Sequence, residues 1–268
     1  MKWILFLLAV LFLDLGSTTA LTGQDNKQVT MTIIYDNTAY NSGLQADHGF
    51  SCLIEGMEKT ILFDTGTQPG IFLSNLEKLN IDPKSVDFVV ISHNHGDHTG
   101  GLSSFLKMNN RVTVYLPASS PKEFVEEIGK KSAGVRTEHN PVEICADVHL
   151  TGEMGTSIKE QGLILNTSRG LIVITGCAHP GIVGMVQRAQ RIMNRNVYLV
   201  FGGFHLSATP EAEVEQIIQQ FRETGVQKTG PTHCTGAQQI ELFREAYRSD
   251  FVPMGAGRIL VFTKDGIR

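Results

Sequence analysis

Ser92-His93-Asn94-His95-Gly96-Asp97-His98-Thr99-Gly100 is the stretch on which the prediction of this protein's fold depends. It places three imidazoles and one carboxylate directly after the apolar run Val86–Ile91, which is typical of a buried strand. Imidazole nitrogens and carboxylate oxygens are ligands of Zn²⁺ and other first-row metals. The alternative is a histidine-rich surface loop without a function. Because the spacing needs a loop that turns several side chains toward one point, it favours a metal site at the end of a sheet.

Length and composition are those of an ordinary globular protein. The 268 residues are 41% apolar and 19% charged, which allows a sizeable core, and no Pro/Ser-rich linker or charge block divides the chain. A net charge of −4 without a Lys/Arg cluster argues against nucleic acid as a partner. The cysteines are far apart and form no C-x-x-C pair, so a disulfide between two of them stays open. We expect one domain over residues 28–268.

The N-terminus has the pattern of a secretory signal peptide. Lys2 precedes the apolar run Trp3–Leu13, and small residues end the segment at Ala20. We therefore predict a signal peptide over residues 1–20, cleaved after Ala20. The run is shorter than the roughly 20 apolar residues that span a bilayer, although an uncleaved anchor is the alternative. The prediction is an exported protein, periplasmic or secreted, with no stable membrane anchor after cleavage.

Short apolar runs alternate with turn residues and helical patterns along the rest of the chain. Strands are predicted at Val29–Tyr35, Ser51–Glu55, Thr60–Phe63, Val112–Leu116, Glu143–Leu150, Gly162–Asn166, Leu171–Thr175, Val197–Phe201 and Arg258–Phe262. Helical spacing is present in Gly70–Leu79, Leu102–Met108, Ile182–Met193 and Val214–Phe221, and Pro121 opens a further helix. The strands fall into two batches, each with helices, which favours an α/β fold of two sheets packed face to face.

Three later strand ends also carry histidines. Extended segments run into Gly176-Cys177-Ala178-His179, Gly202-Gly203-Phe204-His205 and Thr232-His233-Cys234. We predict that His179 and His233 are metal ligands that complete the site begun by the loop. A helix cap is the alternative for His179, and a structural role is the alternative for His233.

Four further side chains have open or supporting roles. Cys177 is either a thiolate ligand or a small buried residue, and His205 is a substrate contact, a ligand or a packed histidine. His48 is expected to line the pocket. Asp64, at a strand end, is expected to hydrogen-bond the far nitrogen of a ligand histidine and so set its tautomer.

The motif His93-x-His95-x-Asp97-His98, followed by Thr99-Gly100-Gly101, resembles the signature of the metallo-β-lactamase superfamily. The resemblance extends from about Met31 to the C-terminus. Within the superfamily, the chain is similar to the branch of the 7,8-dihydropterin-6-methyl-4-(β-D-ribofuranosyl)aminobenzene-5′-phosphate synthases. The stretches that carry this similarity are Tyr35–Thr38, Asp47–Ser51, Leu62–Gly66, Gly176–His179, Gly202–Leu206 and His233–Gly236.

The resemblance implies an αββα sandwich, in which two mixed β-sheets are flanked by helices and a site for one or two metals lies at the sheet edge. One metal would be held by His93, His95 and His179, and the other by Asp97, His98 and His233. Most members place an aspartate after a mid-chain strand to bridge the metals. This sequence has Gly176-Cys177-Ala178-His179 in that region instead, so His179 stands in for either ligand.

Metal-assisted hydrolysis is the activity expected from these residues. Two Zn²⁺ ions, or Mn²⁺ or iron, would activate water for attack on an ester, phosphoester or lactam. Asp97 would orient the water and transfer a proton, while His205 and His48 would bind an anionic group of a small-molecule substrate. The alternatives are a pterin-related synthase, an iron-dependent redox enzyme and a non-catalytic metal-dependent binding protein. The predicted signal peptide favours the hydrolase, since the pathway of an intracellular cofactor has little need of export.

Overall fold

The computed structural model describes residues 28–268. The predicted signal peptide over residues 1–20 lies outside the described residues and stays a prediction, as do the predicted domain bounds of 28–268. Within the described part, no helix is long and apolar enough to cross a membrane.

The first sheet has eight strands and carries the histidine-rich loop. Its strands are β1 (Val29–Tyr35), β2 (Ser51–Glu55), β3 (Ile61–Phe63), β4 (Phe88–Val90), β5 (Thr113–Pro117), β6 (Gly134–Glu138), β13 (Ile259–Thr263) and β14 (Gly266–Ile267). Their order across the sheet is β14-β13-β1-β2-β3-β4-β5-β6. The pairs from β3 to β6 are parallel and the others are antiparallel, so the sheet is mixed.

The second sheet has six strands and is also mixed. Its strands are β7 (Val142–Cys145), β8 (Val148–Leu150), β9 (Leu163–Thr167), β10 (Gly170–Thr175), β11 (Val197–Gly203) and β12 (Lys228–Thr232), and their order is β12-β11-β10-β9-β8-β7. The strands β10, β11 and β12 are parallel, whereas the pairs from β10 to β7 are antiparallel.

Helices cover the outer face of each sheet. The helices α1 (Pro69–Lys78), α3 (Leu102–Met108) and α4 (Lys122–Lys131) pack on the first sheet, while α5 (Ile182–Met193), α6 (Glu211–Glu223) and α7 (Ala237–Tyr247) pack on the second. A short helix, α2 (Gly96–Thr99), lies inside the histidine-rich loop, and single 3₁₀ turns occur at Pro83–Ser85, His233–Thr235 and Arg248–Asp250. The predicted αββα sandwich is confirmed.

The strand β10 is an example of a core strand that is apolar on both faces because both faces are covered. Every residue from Gly170 to Thr175 is buried. Because successive side chains of a strand point to opposite faces, Ile172 and Ile174 pack between the sheets, whereas Leu171 and Val173 pack under the helices. Each such buried side chain contributes roughly 1.5–3 kcal/mol, so this strand is held from both sides.

Several details differ from the sequence predictions. The predicted strand Glu143–Leu150 is a hairpin of β7 and β8, because Asp147 adopts a left-handed φ of 65° and reverses the chain. The strand β6, the two-residue strand β14 and the helix α7 were not predicted. The strand β6 is a polar edge strand, and α7 buries few side chains, so neither has a continuous apolar pattern.

Strand direction brings the predicted site residues together. Asp64 follows β3 and the loop follows β4, which are parallel neighbours in the first sheet. His179, His205 and His233 follow β10, β11 and β12, which are parallel neighbours in the second. The carboxyl ends of parallel strands lie at one edge of a sheet, where ligands of α/β proteins commonly bind.

Candidate metal centre

The loop after β4 gathers its side chains around His93. The imidazole of His93 is fully buried, and its ring centroid lies 4.6 Å from that of His95 and 4.2 Å from that of His98. Burial, followed by the neighbouring imidazoles of His98, His179 and His95, lowers the pKa of His93 well below its usual range. A neutral imidazole offers a lone pair, and this is the form that binds a metal.

Asp64 contacts the Nδ1 atom of His98, while its predicted role behind a metal ligand stays a prediction. Its Oδ2 atom lies 2.7 Å from His98 Nδ1 and accepts from Ser92 Oγ at 2.7 Å, while its Oδ1 accepts from the Ser92 N–H at 2.7 Å. Although burial opposes protonation of His98, the Asp64 charge and hydrogen bond raise the pKa of His98 to about 10. The Asp64 contact occupies Nδ1 and leaves His98 Nε2 toward the site, where it lies 3.2 Å from Cys177 Sγ.

The loop after β4 forms one wall of the site, and the ends of β10, β11 and β12 in the second sheet form the other wall. The ring centroid of His179 lies 4.7 Å from that of His93 and 4.3 Å from that of His205, and the ring of His233 lies 5.0 Å from that of His98. His205 and His233 both have a left-handed φ of 52°. Non-glycine residues in this region are uncommon and tend to cluster at functional sites.

Two close backbone approaches require glycine at these strand ends. A Cβ atom on Gly176 would lie 2.1 Å from Ser92 Oγ, and one on Gly203 would lie 2.3 Å from the Gly176 oxygen. The loops of the two sheets can therefore meet at Ser92 only because Gly176 lacks a side chain, and the ends of β10 and β11 can lie close together only because Gly203 lacks one.

The donor atoms form three groups, within each of which they lie within 4.8 Å of one another. The first group is His93, His95 and His179, and the second is Asp97, His98, His233 and Cys177. The third is Cys177, His205 and Cys234. The structure thus brings together all six residues predicted as ligands, in the two sets implied by the resemblance, and adds Cys177 to the second set.

The side chains present fit a bound metal. Buried Nε2 atoms of His93 and His179 have no hydrogen-bond partner among residues 28–268. A buried polar atom without a partner costs roughly 1–3 kcal/mol, and a cation bound by the His93–His95–His179 group would give both of these atoms a partner. The chain therefore has candidate ligand groups for the divalent metals that its fold family commonly binds.

Asp97 contacts several imidazoles at once. Its Oδ2 lies 3.2 Å from His233 Nε2, 3.4 Å from His98 Nε2 and 3.1 Å from His48 Nε2. Burial would raise the pKa of Asp97, but its interactions with His233 and His98 outweigh that effect and hold the pKa below the usual range. Asp97 is therefore an ionised ligand candidate at the mouth of the second group.

The thiols of Cys177 and Cys234 lie close to each other beside Asp97. A hydrogen bond with Cys177 lowers the pKa of the Cys234 thiol despite its burial, and His205 contributes in the same direction. The pKa of Cys177 is raised, by that same contact with Cys234 and by burial. Of the two, Cys234 is thus the stronger thiolate candidate.

Glu160 organises the loop that carries Cys177 and His179, and the sequence did not predict it. This fully buried carboxylate accepts hydrogen bonds from the four backbone N–H groups of residues 176–179, at 2.9–3.0 Å. Burial raises the pKa of Glu160 to about 7, against the opposing effect of the amides. No spacing pattern identifies it, because an acid in a polar connection between strands is ordinarily exposed.

Asn37 supports His233 and was also missed. Its Oδ1 atom lies 2.8 Å from His233 Nδ1, and its Nδ2 donates to the His233 carbonyl at 3.1 Å. The same Nδ2 lies 3.2 Å from His48 Nδ1. The stretch Tyr35–Thr38 contributed to the family resemblance, and that was the available signal for a role of Asn37.

The three groups open into one cavity of about 640 Å³. Its wall includes the predicted substrate contacts His48 and His205 together with Ser207 and Ile240. The volume lies in the range of roughly 300–1,000 Å³ that is usual for small-molecule sites. A larger cleft, of about 830 Å³ between α6 and α7, has no histidine or cysteine in its wall, so the metal-ligand chemistry belongs to the smaller cavity.

Two known proteins are similar to this chain over most of its length. A Methanocaldococcus jannaschii protein, 7,8-dihydropterin-6-methyl-4-(β-D-ribofuranosyl)-aminobenzene-5′-phosphate synthase, is 32% identical over 280 residues, which cover 86% of this chain and 95% of that protein. The crystal structure of a metal-dependent hydrolase of the β-lactamase superfamily matches with 29% identity and a TM-score of 0.73, and the match covers 87% of this chain and 98% of that one.

These findings contradict the prediction of an exported hydrolase. The Methanocaldococcus jannaschii relative, which is matched over 95% of its length, is a synthase, and nothing in the comparisons or in residues 28–268 indicates export. The alternative that the sequence left open, a pterin-related synthase, fits better. The hydrolase was expected from the metal-ligand residues, and the N-terminal pattern, which lies outside the described residues, was an additional argument against the synthase.

The fold and the family are supported by two further matches. A metallo-β-lactamase fold protein from Bacillus subtilis matches the structure with a TM-score of 0.66 at 13% identity, over 88% of this chain and 99% of that one, and so supports the fold alone. The family model of the metallo-beta-lactamase superfamily matches residues 44–188, which include the histidine-rich loop and His179. The chain belongs to the metallo-β-lactamase superfamily.

Proposed function

We propose that this protein is a metal-dependent synthase that acts on pterin-related, phosphate-bearing small molecules. The observation that carries the proposal is the match to the Methanocaldococcus jannaschii synthase over 86% of this chain and 95% of the relative. The ligand groups that open into the cavity support the metal dependence.

Zinc is the metal that we expect in the His93–His95–His179 group and in the group of Asp97, His98 and His233. Imidazole, carboxylate and thiolate are its ordinary protein ligands, although Mn²⁺ and iron accept several of them. A bound divalent cation would stabilise the negative charge that develops on a leaving group or on a substrate phosphate. Metal analysis of the purified protein tests this expectation.

The name of the relative's product indicates the bond to be made, between a dihydropterin methyl group and an aminobenzene. Forming it requires a leaving group on the methyl carbon and an acceptor for the proton of the entering nucleophile. We assign both the positioning of the reacting groups and the acceptance of this proton to Asp97, whose Oδ2 lies 3.2 Å from His233 Nε2 beside the second ligand group.

His48 would orient an anionic substrate group. Its side chain is 61% exposed, and its Nε2 lies 3.1 Å from Asp97 Oδ2. On the other side of the ring, Asn37 Nδ2 lies 3.2 Å from His48 Nδ1. No lysine or arginine belongs to the described cavity wall, so anion recognition would depend on imidazole and on bound cations.

The experiment is a joining assay with purified, metal-loaded protein. The substrates are a dihydropterin activated at its 6-methyl group and 4-(β-D-ribofuranosyl)aminobenzene 5′-phosphate, and mass spectrometry detects the joined product. We expect the product with the wild-type chain and none with His95→Ala. Hydrolysis of the activated pterin without the joined product would contradict the proposal.

A further inference from the structure

The third donor group of the site is rich in sulfur. Cys177, His205 and Cys234 place two thiol sulfurs and one imidazole nitrogen within 4.8 Å of one another. Cys177 is buried, Cys234 is half-buried and His205 is exposed, so the group is open to the cavity on the His205 side. It lies beside the Asp97–His98–His233 group and shares Cys177 with it.

The backbone holds these donors close together. They follow the parallel strands β10, β11 and β12, and the Gly203 N–H donates to the Gly176 carbonyl at 3.0 Å. Cys234 Sγ lies 3.7 Å from the Cys177 carbonyl oxygen. A Cβ on Gly203 would lie 2.7 Å from Cys234 Sγ, so the absence of a side chain there makes room for the sulfur.

A buried cysteine is often only a small apolar residue, and Cys52 is an example in this chain. Cys52 belongs to the apolar cluster between the two sheets. Cys177 and Cys234, in contrast, line the cavity together with five histidines, and Cys177 Sγ lies 3.2 Å from His98 Nε2. Their surroundings are those of ligands, whereas the surroundings of Cys52 are those of core packing.

We propose that Cys177, His205 and Cys234 form a thiolate-containing metal site that takes a borderline or soft divalent cation such as zinc. Thiolate and imidazole are the donors that zinc prefers, while carboxylate and water suit harder cations. Binding would release the thiol protons to solvent. Cys177, as a member of both groups, would link this site to the Asp97–His98–His233 group. The inference concerns metal binding and does not depend on the substrate of the enzyme.

Cobalt substitution tests the site through a signal that only sulfur ligation produces. The full-length protein is stripped of metal, kept reduced and anaerobic, and titrated with Co²⁺ while the near-ultraviolet thiolate-to-cobalt charge-transfer band is recorded. We expect this band in the wild type, a loss of at least half of its intensity in Cys177→Ser or Cys234→Ser, and no band in the double variant. Cys145→Ser, on β7 and away from the cavity, is the matched control and keeps the full band.

The His95→Ala variant separates this site from the imidazole group. Because His95 belongs to the first group only, the band should survive this change. Absence of the band from the folded wild type, or full intensity in the folded Cys234→Ser or double variant, would overturn the site. Circular dichroism confirms that each variant is folded, and since Cys234 is only half-buried, its variant keeps the test valid even if Cys177→Ser unfolds.

Discussion

The two walls of the candidate metal centre are built in different ways. In the first sheet, the donors of one short loop, His93 to His98, turn toward one point, and a buried carboxylate, Asp64, supports them. In the second sheet, each of three parallel strands delivers its own histidine. The first wall is therefore local in sequence, whereas the second depends on sheet pairing.

The residues that support the two walls differ in charge where they contact an imidazole, and they differ in whether they contact a side chain or the backbone. Asp64 contacts His98 Nδ1 as a carboxylate, and Asn37 contacts His233 Nδ1 as a neutral amide. Glu160 acts on the backbone of its loop and on no imidazole at hydrogen-bond distance, since its Oε2 lies 3.9 Å from His93 Nδ1. The first wall is thus supported mainly through a ligand side chain and the second largely through its backbone.

The largest effect is expected from removing a donor of the first wall. His95→Ala or Asp97→Ala should abolish turnover and lower the metal content, because each deletes a donor atom from one ligand group. The loss of metal affinity should exceed the roughly 10- to 100-fold change that follows from removing a group behind a ligand. Metal analysis and the joining assay measure both effects, with His139→Ala as the control at an exposed histidine. Full turnover by either variant after demetallation would contradict a metal-dependent reaction.

Removing the backbone support of the second wall should cost stability. Glu160→Ala leaves three buried N–H groups and the part-buried one of His179 without their acceptor, and we expect the free energy of unfolding to fall by about 2–4 kcal/mol. Glu160→Gln keeps one carbonyl oxygen and should lose less. Urea denaturation measures both changes, and Glu126→Gln, on the exposed face of α4, is the control. Equal stability of Glu160→Ala and wild type would mean that the loop of residues 176–179 does not need the Glu160 carboxylate.

The charged support of the first wall should matter next. Asp64→Asn replaces the carboxylate that contacts His98 Nδ1, and loss of a carboxylate behind a metal-binding histidine typically lowers metal affinity by roughly 10- to 100-fold. Competition with a chromogenic chelator measures this affinity. Asp82→Asn, which removes the charge of an exposed helix cap, should leave it unchanged. An unaltered affinity in Asp64→Asn would show that His98 needs no such partner.

The smallest effect is expected at the neutral support. Asn37→Ala removes the 2.8 Å contact to His233 Nδ1, but no charge, so we expect a loss of metal affinity of at most about 10-fold. The same chelator competition ranks Asn37→Ala against Asp64→Asn. A larger loss in Asn37→Ala than in Asp64→Asn would reverse the proposed difference between the two walls.

The first wall could be predicted from the sequence more completely than the second. The spacing of His93, His95, Asp97 and His98 indicated a metal site because these donors are near neighbours in the chain. His179, His205 and His233 were suspected from strand ends, but the grouping of His179 and His233 came from the resemblance, and the role of His205 stayed open. Glu160 and Asn37 were missed, because their roles depend on contacts with residues that are distant in the chain. The contacts of Glu160 span 16 residues or more, and the contact of Asn37 with His233 spans 196.

What the sequence determined about this protein is local: the apolar strands, the helical faces and the histidine-rich loop, each of which depends on residues close to one another in the chain. It also misled where a local pattern was taken for function, since the N-terminal pattern favoured a hydrolase over the synthase alternative. Only the tertiary structure added Cys177 to the Asp97–His98–His233 group and brought it together with His205 and Cys234 in a third. The physical reason is that strand order and direction, which bring β10, β11 and β12 side by side, arise from pairing between distant segments.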